Sequence, residues 1–274
     1  MKRFFCVLLF IAAVIGGLLL CDHVTRRDDS ERKFRSFYDE KQDIDVFFMG
    51  TSHVLDDITP MELWRDFGVT SYNMGTSSEC LGMTEWILKL TAEVHKPKIA
   101  VIDVYYIDKP LDSAWTYSYR HLFFDSYPLS FRKFEAVRAT LPKEQWMEFM
   151  MPFSLYHSRW EELMTGTSAR MIDCEPFMMG SEMRIGRGEP LPYTRTHEMT
   201  EGELPGMQAL RNIAAYCREN GIEPVFMALL APVSEQQQAD MNSVQRLADE
   251  LNVPFLNLFD EDTGIDFYTD CYDY

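Results

Sequence analysis

The chain has 274 residues, 46% of them hydrophobic, and a formal net charge of −17. That length suits one globular domain with an insertion, or one domain with an anchor. The acidic balance and the lack of a basic patch argue against a nucleic-acid partner, and an anionic polymer would need a locally positive cleft.

Lys2 and Arg3 precede an unbroken apolar run of 18 residues, Phe4 to Cys21. A bilayer takes roughly 20 apolar residues, whereas the apolar core of a cleaved signal is about 7–15. No small-x-small site follows, and Leu20 before Cys21 fits a lipoprotein cleavage box poorly. The length therefore favours an uncleaved signal-anchor over residues 1–21, with a cleaved signal peptide as the alternative. Lys2 and Arg3 put the N-terminus in the cytoplasm by the positive-inside rule, against Arg26 and Arg27 on the far side, which stand among Asp22, Asp28 and Asp29. Residues 22–43 are charge-rich and read as a juxtamembrane stalk, part helix and part linker.

A first buried strand is expected at 45–49, ending in Gly50. Thr59 as N-cap and Pro60 at the first helical position open a helix over 60–67. A second short strand covers 69–73, and Leu81, Trp86, Leu88, Leu90 and Val94 recur at helical spacing over 81–94. The segment 98–106 is apolar enough for a central strand covered on both faces. Residues 108–200 then break the alternation and are rich in aromatics and methionine. Two readings stay open for them: an insertion bordering the cleft, or a helical subdomain with its own core. The loop 180–192, with three glycines and two prolines, is a candidate flap. Afterwards a helix at 206–220 with Gly221 as its cap, a strand at 223–230, a helix at 234–251 and a strand at 253–258 complete the pattern. Strands alternating with helices of this length predict an α/β fold, a three-layer α/β/α sandwich with a mostly parallel sheet.

Cys6 and Cys21 lie in or beside the anchor, while Cys80, Cys174, Cys217 and Cys271 show no metal-ligand spacing. A disulfide or buried free thiols both fit, the second being the plainer reading. No cofactor or metal is suggested.

Chemistry concentrates in Ile44–His53, where an apolar strand ends in Gly50-Thr51-Ser52-His53. Ligands of open α/β sheets bind at the carboxyl ends of the strands. A serine in such a turn has an exposed hydroxyl and backbone N–H groups nearby, as a nucleophile with an oxyanion hole requires. The same three residues also make an ordinary turn with a helix N-cap.

Phe48-Met-Gly-Thr-Ser-His-Val54, then Pro60-Met-Glu-Leu-Trp64, then Ser71-Tyr-Asn-Met-Gly75, resemble the SGNH/GDSL hydrolase-like family. The likeness is to its membrane-anchored, extracytoplasmic branch, which includes the D-alanyl teichoic-acid transfer protein and polysaccharide O-acetyltransferases. It runs from about residue 44 to 274 with a gap in the middle. It implies Ser52 as nucleophile and oxyanion donors from the N–H groups of Ser52 and Gly75, with Asn73 a weaker candidate. Family members often carry Gly-x-Asn-Asp after the third strand; this chain has Asp103-Val-Tyr-Tyr-Ile-Asp108, leaving Tyr105 or Tyr106 as substitute donors. The chain's end, Gly264-Ile-Asp-Phe-Tyr-Thr-Asp-Cys-Tyr-Asp-Tyr274, resembles the run-up to the family's Asp-x-x-His. Asp273 falls on the motif aspartate, Asp270 being the alternative, and the histidine falls two positions past Tyr274. The expectation is a C-terminally truncated domain over 44–274.

His53 is a chain neighbour of Ser52 and suits turn shaping or substrate contact rather than the role of base. His157 and Arg159, in Phe153-Ser-Leu-Tyr-His-Ser-Arg-Trp160, are further substrate-binding candidates, or a hydrogen-bonded pair in an aromatic layer. The resemblance implies an esterase or O-acyltransferase acting outside the cell on acyl esters of a cell-envelope glycan or teichoic acid. A membrane-bound O-acyltransferase is the partner it implies. The alternative is a membrane-tethered glycan-binding or scaffold protein that lacks a working base, its aromatics stacking on sugars.

Overall fold

The structure, a computed structural model, describes residues 2–25, 28–113, 117–165, 178–182, 196–229 and 234–258. In chain order its elements are α1 (Lys2–Thr25), α2 (Asp28–Asp39), β1 (Val46–Met49), α3 (Ser52–Asp57), α4 (Pro60–Phe67), β2 (Ser71–Asn73), α5 (Leu81–Thr91) and β3 (Ile99–Asp103). There follow α6 (Tyr117–Phe124), α7 (Phe131–Thr140), α8 (Trp146–Met150), α9 (Phe153–Tyr156), α10 (Trp160–Thr165), α11 (Met207–Asn220), β4 (Glu223–Ala228), α12 (Glu235–Leu251) and β5 (Phe255–Asn257). The chain divides into two compact units, Met1–Phe34 with His121–Pro176, and Arg35–Arg120 with Phe177–Tyr274.

The second unit is an α/β fold on a five-stranded sheet ordered β2-β1-β3-β4-β5, all strands parallel. Parallel strands need crossovers, and the apolar runs of β1 and β3 read as strands buried on both faces. Alternation along β1 and β3 sorts the two faces. Val46 and Val101 pack with Val54 of α3, Met227 and Leu229 on one side. Phe47, Ala100, Ile102 and Phe226 are buried as well. Phe37 of α2 meets Phe47 and Tyr72 edge-on, with ring centroids 5.7 and 5.2 Å apart. The end of the segment expected as a juxtamembrane stalk therefore contributes to this core through Phe37, which is buried.

Several local signals act as the sequence suggests. Ser234 and Gln237 form a reciprocal capping box at α12, and Gly221 ends α11. Thr59 is the N-cap of α4 with Pro60 at the first helical position, as expected, although its side chain makes no capping hydrogen bond. The third strand is shorter than the expected 98–106. Its regular pairing ends at Asp103, and Val104 still donates to Met227 O at 2.9 Å. Residues 178–182 lie along the outer edge of the sheet, where Met179 O accepts from Asn73 N–H at 2.9 Å and Leu55 O from Glu182 N–H at 3.0 Å. Such cover removes an open strand edge. The remainder of the candidate flap lies outside the described residues.

The first unit begins with α1, whose Arg3–Asp22 stretch is long and apolar enough to cross a membrane. Its globular part has an aromatic interior: Phe34 meets Phe123 edge-on at 5.0 Å, and Phe124 meets Phe149 at 5.8 Å. His121 is buried there, stacked on Phe149 at 3.8 Å. Its Nδ1 bonds Asp125 Oδ1 at 2.9 Å and its Nε2 bonds Glu148 Oε1 at 3.0 Å. Tyr156 donates to the other Asp125 oxygen at 2.7 Å. Only the imidazolium offers two N–H donors to two carboxylates. Burial pulls the His121 pKa down, but the bonds and charges of Asp125 and Glu148 outweigh it and hold it above the ordinary 6.5.

A raised folded pKa means that the folded state binds the proton more tightly than the unfolded one. The stability His121 contributes is complete below pH 6.5 and is lost as pH rises through the higher folded value. The thermal midpoint of the detergent-solubilised protein should fall across that window, and His121→Gln should flatten the dependence. An unchanged slope in the variant would remove His121 as its source.

Candidate active site

In the order β2-β1-β3-β4-β5 the direction of winding reverses between β1 and β3, which is where open parallel sheets leave a crevice at their carboxyl ends. Met49 pairs with Ile102, so Gly50 and Asp103 are the next residues along each strand. Gly50 turns with φ +152°, and a Cβ there would lie 2.5 Å from Asp103 Cβ. Only glycine permits this approach.

Asp103 is 2% exposed. Its Oδ2 accepts the Thr51 hydroxyl at 3.0 Å, and its Oδ1 accepts Tyr105 N–H at 3.2 Å. The backbone N–H groups of Thr51 and Val104 lie near enough to favour its charged form. Thr51 is the N-cap of α3, and its hydroxyl oxygen accepts His53 N–H at 3.3 Å. One buried carboxylate thus fixes the turn from which α3 starts, and Ser52 is the first residue of that helix. Burial raises the Asp103 carboxyl to about 6, the donated hydrogen bonds opposing the rise.

Ser52 is half-buried, and among the described residues its hydroxyl and its N–H make no hydrogen bond. The adjoining His53 ring stands edge-on to Tyr105 with centroids 4.1 Å apart. Asp57, one turn along and at the exposed end of α3, has its carboxyl raised to about 6. Crowding by protein is the chief cause; the His53 ring opposes it, and the Asp56 and Asp103 carboxylates add to it. Tyr105 and Tyr106 follow Asp103 in a turn, their rings 5.0 Å apart.

Asn73 and Gly75 reach the site in roles other than the expected ones. Asn73 is fully buried; its amide donates to the carbonyls of Val54 and Ile58, the latter at 2.9 Å, closing the end of α3. Its Oδ1 accepts Gly75 N–H at 2.9 Å. The Gly75 donor is therefore engaged inside the turn rather than directed at an incoming oxyanion, and Asn73 is a helix-end cap. Gly75 is needed for closeness: a Cβ there would lie 2.6 Å from Leu55 N and 2.9 Å from Thr51 O. These bonds clamp α3 at both ends, Asp103 and Thr51 at its start and Asn73 at its finish.

His157 and Arg159 belong to the first unit. Arg159 Nη1 donates to Thr25 O at 2.9 Å, supporting the last turn of α1, and the His157 ring lies 6.1 Å from Phe153. Asp273 and Asp270 lie outside the described residues, as do Cys174 and Cys271; Cys80 and Cys217 are buried free thiols. No group of three or more His, Cys, Asp or Glu suited to a metal exists among the described residues.

No protein-family model matches the chain, and no curated protein matches it. The site thus stands on its own geometry. The residue that sequence reasoning passed over is Asp103, visible only as an acid at the end of the apolar run Ile-Ala-Val-Ile. A buried strand that ends in a carboxylate at the crevice was the available signal.

Two variants test this construction. Gly50→Ala should destabilise the protein by about 3 kcal/mol or more, from backbone strain and a clash at once. Asp103→Asn should cost roughly 1–3 kcal/mol, because an amide turns an N–H₂ toward groups that already donate. Since the folded pKa of Asp103 is raised from 3.8 to about 6, its proton-linked stability is complete below pH 3.8 and is lost as pH rises through about 6. Asp103→Asn should remove that share of the acid-side pH dependence in chemical denaturation, leaving the share of Asp57. An unaltered profile would mean that Asp103 does not titrate there.

Proposed function

We propose that the protein is an extracytoplasmic serine esterase or O-acyltransferase of the SGNH type, a three-layer α/β/α domain held to the membrane by α1 with its N-terminus in the cytoplasm. The observation that carries this reading is the Ser52 hydroxyl. It is unbonded among the described residues, stands at the crevice where β1 and β3 diverge, and sits on a turn locked by a buried carboxylate. A nucleophile must be fixed in place while its reacting atom stays available.

In this reading Ser52 Oγ attacks the ester carbonyl while a histidine takes its proton, and the Ser52 N–H holds the developing oxyanion. The tetrahedral intermediate expels the alcohol, which takes the proton back from the histidine. Water or a sugar hydroxyl then releases the acyl group from Ser52, giving hydrolysis or transfer. The resemblance supplies the histidine from the Asp-x-x-His that begins at Asp273. Gly75 N–H would serve as a second donor only by leaving Asn73 Oδ1. The substrate class, acylated cell-envelope glycan or teichoic acid, and a membrane-bound O-acyltransferase as partner follow from the same resemblance.

The test uses the whole gene product in native membranes, with p-nitrophenyl acetate turnover and fluorophosphonate labelling as readouts. Ser52→Ala should abolish labelling and lower kcat/KM by at least about 10³-fold. Labelling and turnover that persist in Ser52→Ala would overturn the reading. A wild-type protein that neither labels nor turns over, and whose envelope phenotype survives Ser52→Ala, would establish the scaffold alternative.

A further inference from the structure

We infer that α9, the turn His157–Arg159 and α10 form a lipid-docking face that lies in the headgroup layer beside the exit of α1. The inference rests on the reading of α1 as a membrane span, and everything else in it comes from the first unit.

The apolar stretch Arg3–Asp22 has 20 residues, none of its best window buried by protein. At about 1.5 Å per residue it is roughly 30 Å long, the thickness of the hydrocarbon layer. Asp22 then marks the hydrocarbon boundary and Thr25 stands about 4.5 Å beyond it, inside the headgroup region. Both are tied to the same short segment. Asp22, only 2% exposed, accepts Phe153 N–H at 2.8 Å. Thr25 O accepts the Arg159 guanidinium at 2.9 Å. These two bonds hold residues 153–159 at the level of the membrane surface.

At this level the segment exposes large apolar side chains. Leu155 is 45%, Trp160 56% and Met164 80% exposed. Trp160 and Met164 are four residues apart and share a face of α10. An apolar face open to water is unfavourable, whereas the boundary layer of a bilayer accepts it and favours tryptophan in particular. The occupant to which the face is suited is therefore the bilayer that α1 enters, since the two bonds bring it there with no further partner.

The test places a fluorescent noncanonical amino acid singly at Leu155, Trp160, Met164 or Val14 of the full chain, reconstituted in phosphatidylcholine–phosphatidylglycerol vesicles. Nitroxide lipids labelled near the headgroup should quench probes at 155, 160 and 164, and aqueous iodide should lose its effect on them. A deep acyl-chain nitroxide should quench the probe at Val14. Failure at Val14 overturns the membrane-span reading itself. Quenching at Val14 with iodide reaching 155, 160 and 164 overturns the docking face alone. Iodide protection without nitroxide quenching, as contact with protein would give, overturns it too.

Discussion

Everything at the candidate site depends on one buried carboxylate. Asp103 has almost no solvent to stabilise its charge, and it is held instead by the Thr51 hydroxyl and the Tyr105 N–H. Burying a charge is costly unless it is fully hydrogen-bonded, so the geometry around it tolerates little variation. Gly50 follows from that constraint, because the turn must pass within van der Waals contact of the Asp103 side chain. Thr51 follows as well, since its hydroxyl both donates to the carboxylate and accepts the N–H that starts α3. Ser52 takes its position from both neighbours.

The far end of α3 is held by a different device. Asn73, at the end of β2, uses its amide on the last carbonyls of the helix and its carbonyl oxygen on Gly75 N–H. A six-residue helix has more unsatisfied terminal groups than internal bonds and does not persist alone. Here the Thr51 hydroxyl, braced by Asp103, takes the His53 N–H, and the Asn73 amide takes carbonyls at the far end. The short helix is thus a rigid mount, fixed to the sheet at both ends, and Ser52 is its half-buried first residue.

Much of the fold was legible in the sequence because it rests on local signals. The apolar runs that became β1, β3 and β4, the cap at Gly221 and the capping box at Ser234 each carry their structure in adjacent residues. The packing of Phe37 in the charge-rich segment 22–43 was not legible, because composition averages over a helix and hides a single apolar contact until the residues are placed around the axis. The site was legible only in part. Ser52 stood out by its place after a strand end, but the role of Asn73 depends on the carbonyls of Val54 and Ile58, and that of Asp103 on a turn 52 residues away. Partnerships across such separations leave no local pattern.

The arrangement also limits which groups can act on Ser52. Asp103 already accepts from the Thr51 hydroxyl and the Tyr105 N–H and is directed at the turn, so its carboxylate orients the helix start rather than receiving the serine proton. His53 is next to Ser52 in the chain, and consecutive residues at a helix start point apart; its ring is instead against Tyr105. Asp57 lies one turn on from His53, within electrostatic reach of both the ring and Asp103. A serine in this setting is held ready but is not itself activated, since a hydroxyl becomes a competent nucleophile only with a base at hydrogen-bond distance. The acyl-transfer reading therefore calls for a base delivered to the open crevice by another segment, which is the arrangement the resemblance at Asp273 describes. On that reading the β1–α3 turn places the nucleophile, and its activation falls to a base that the turn itself does not hold.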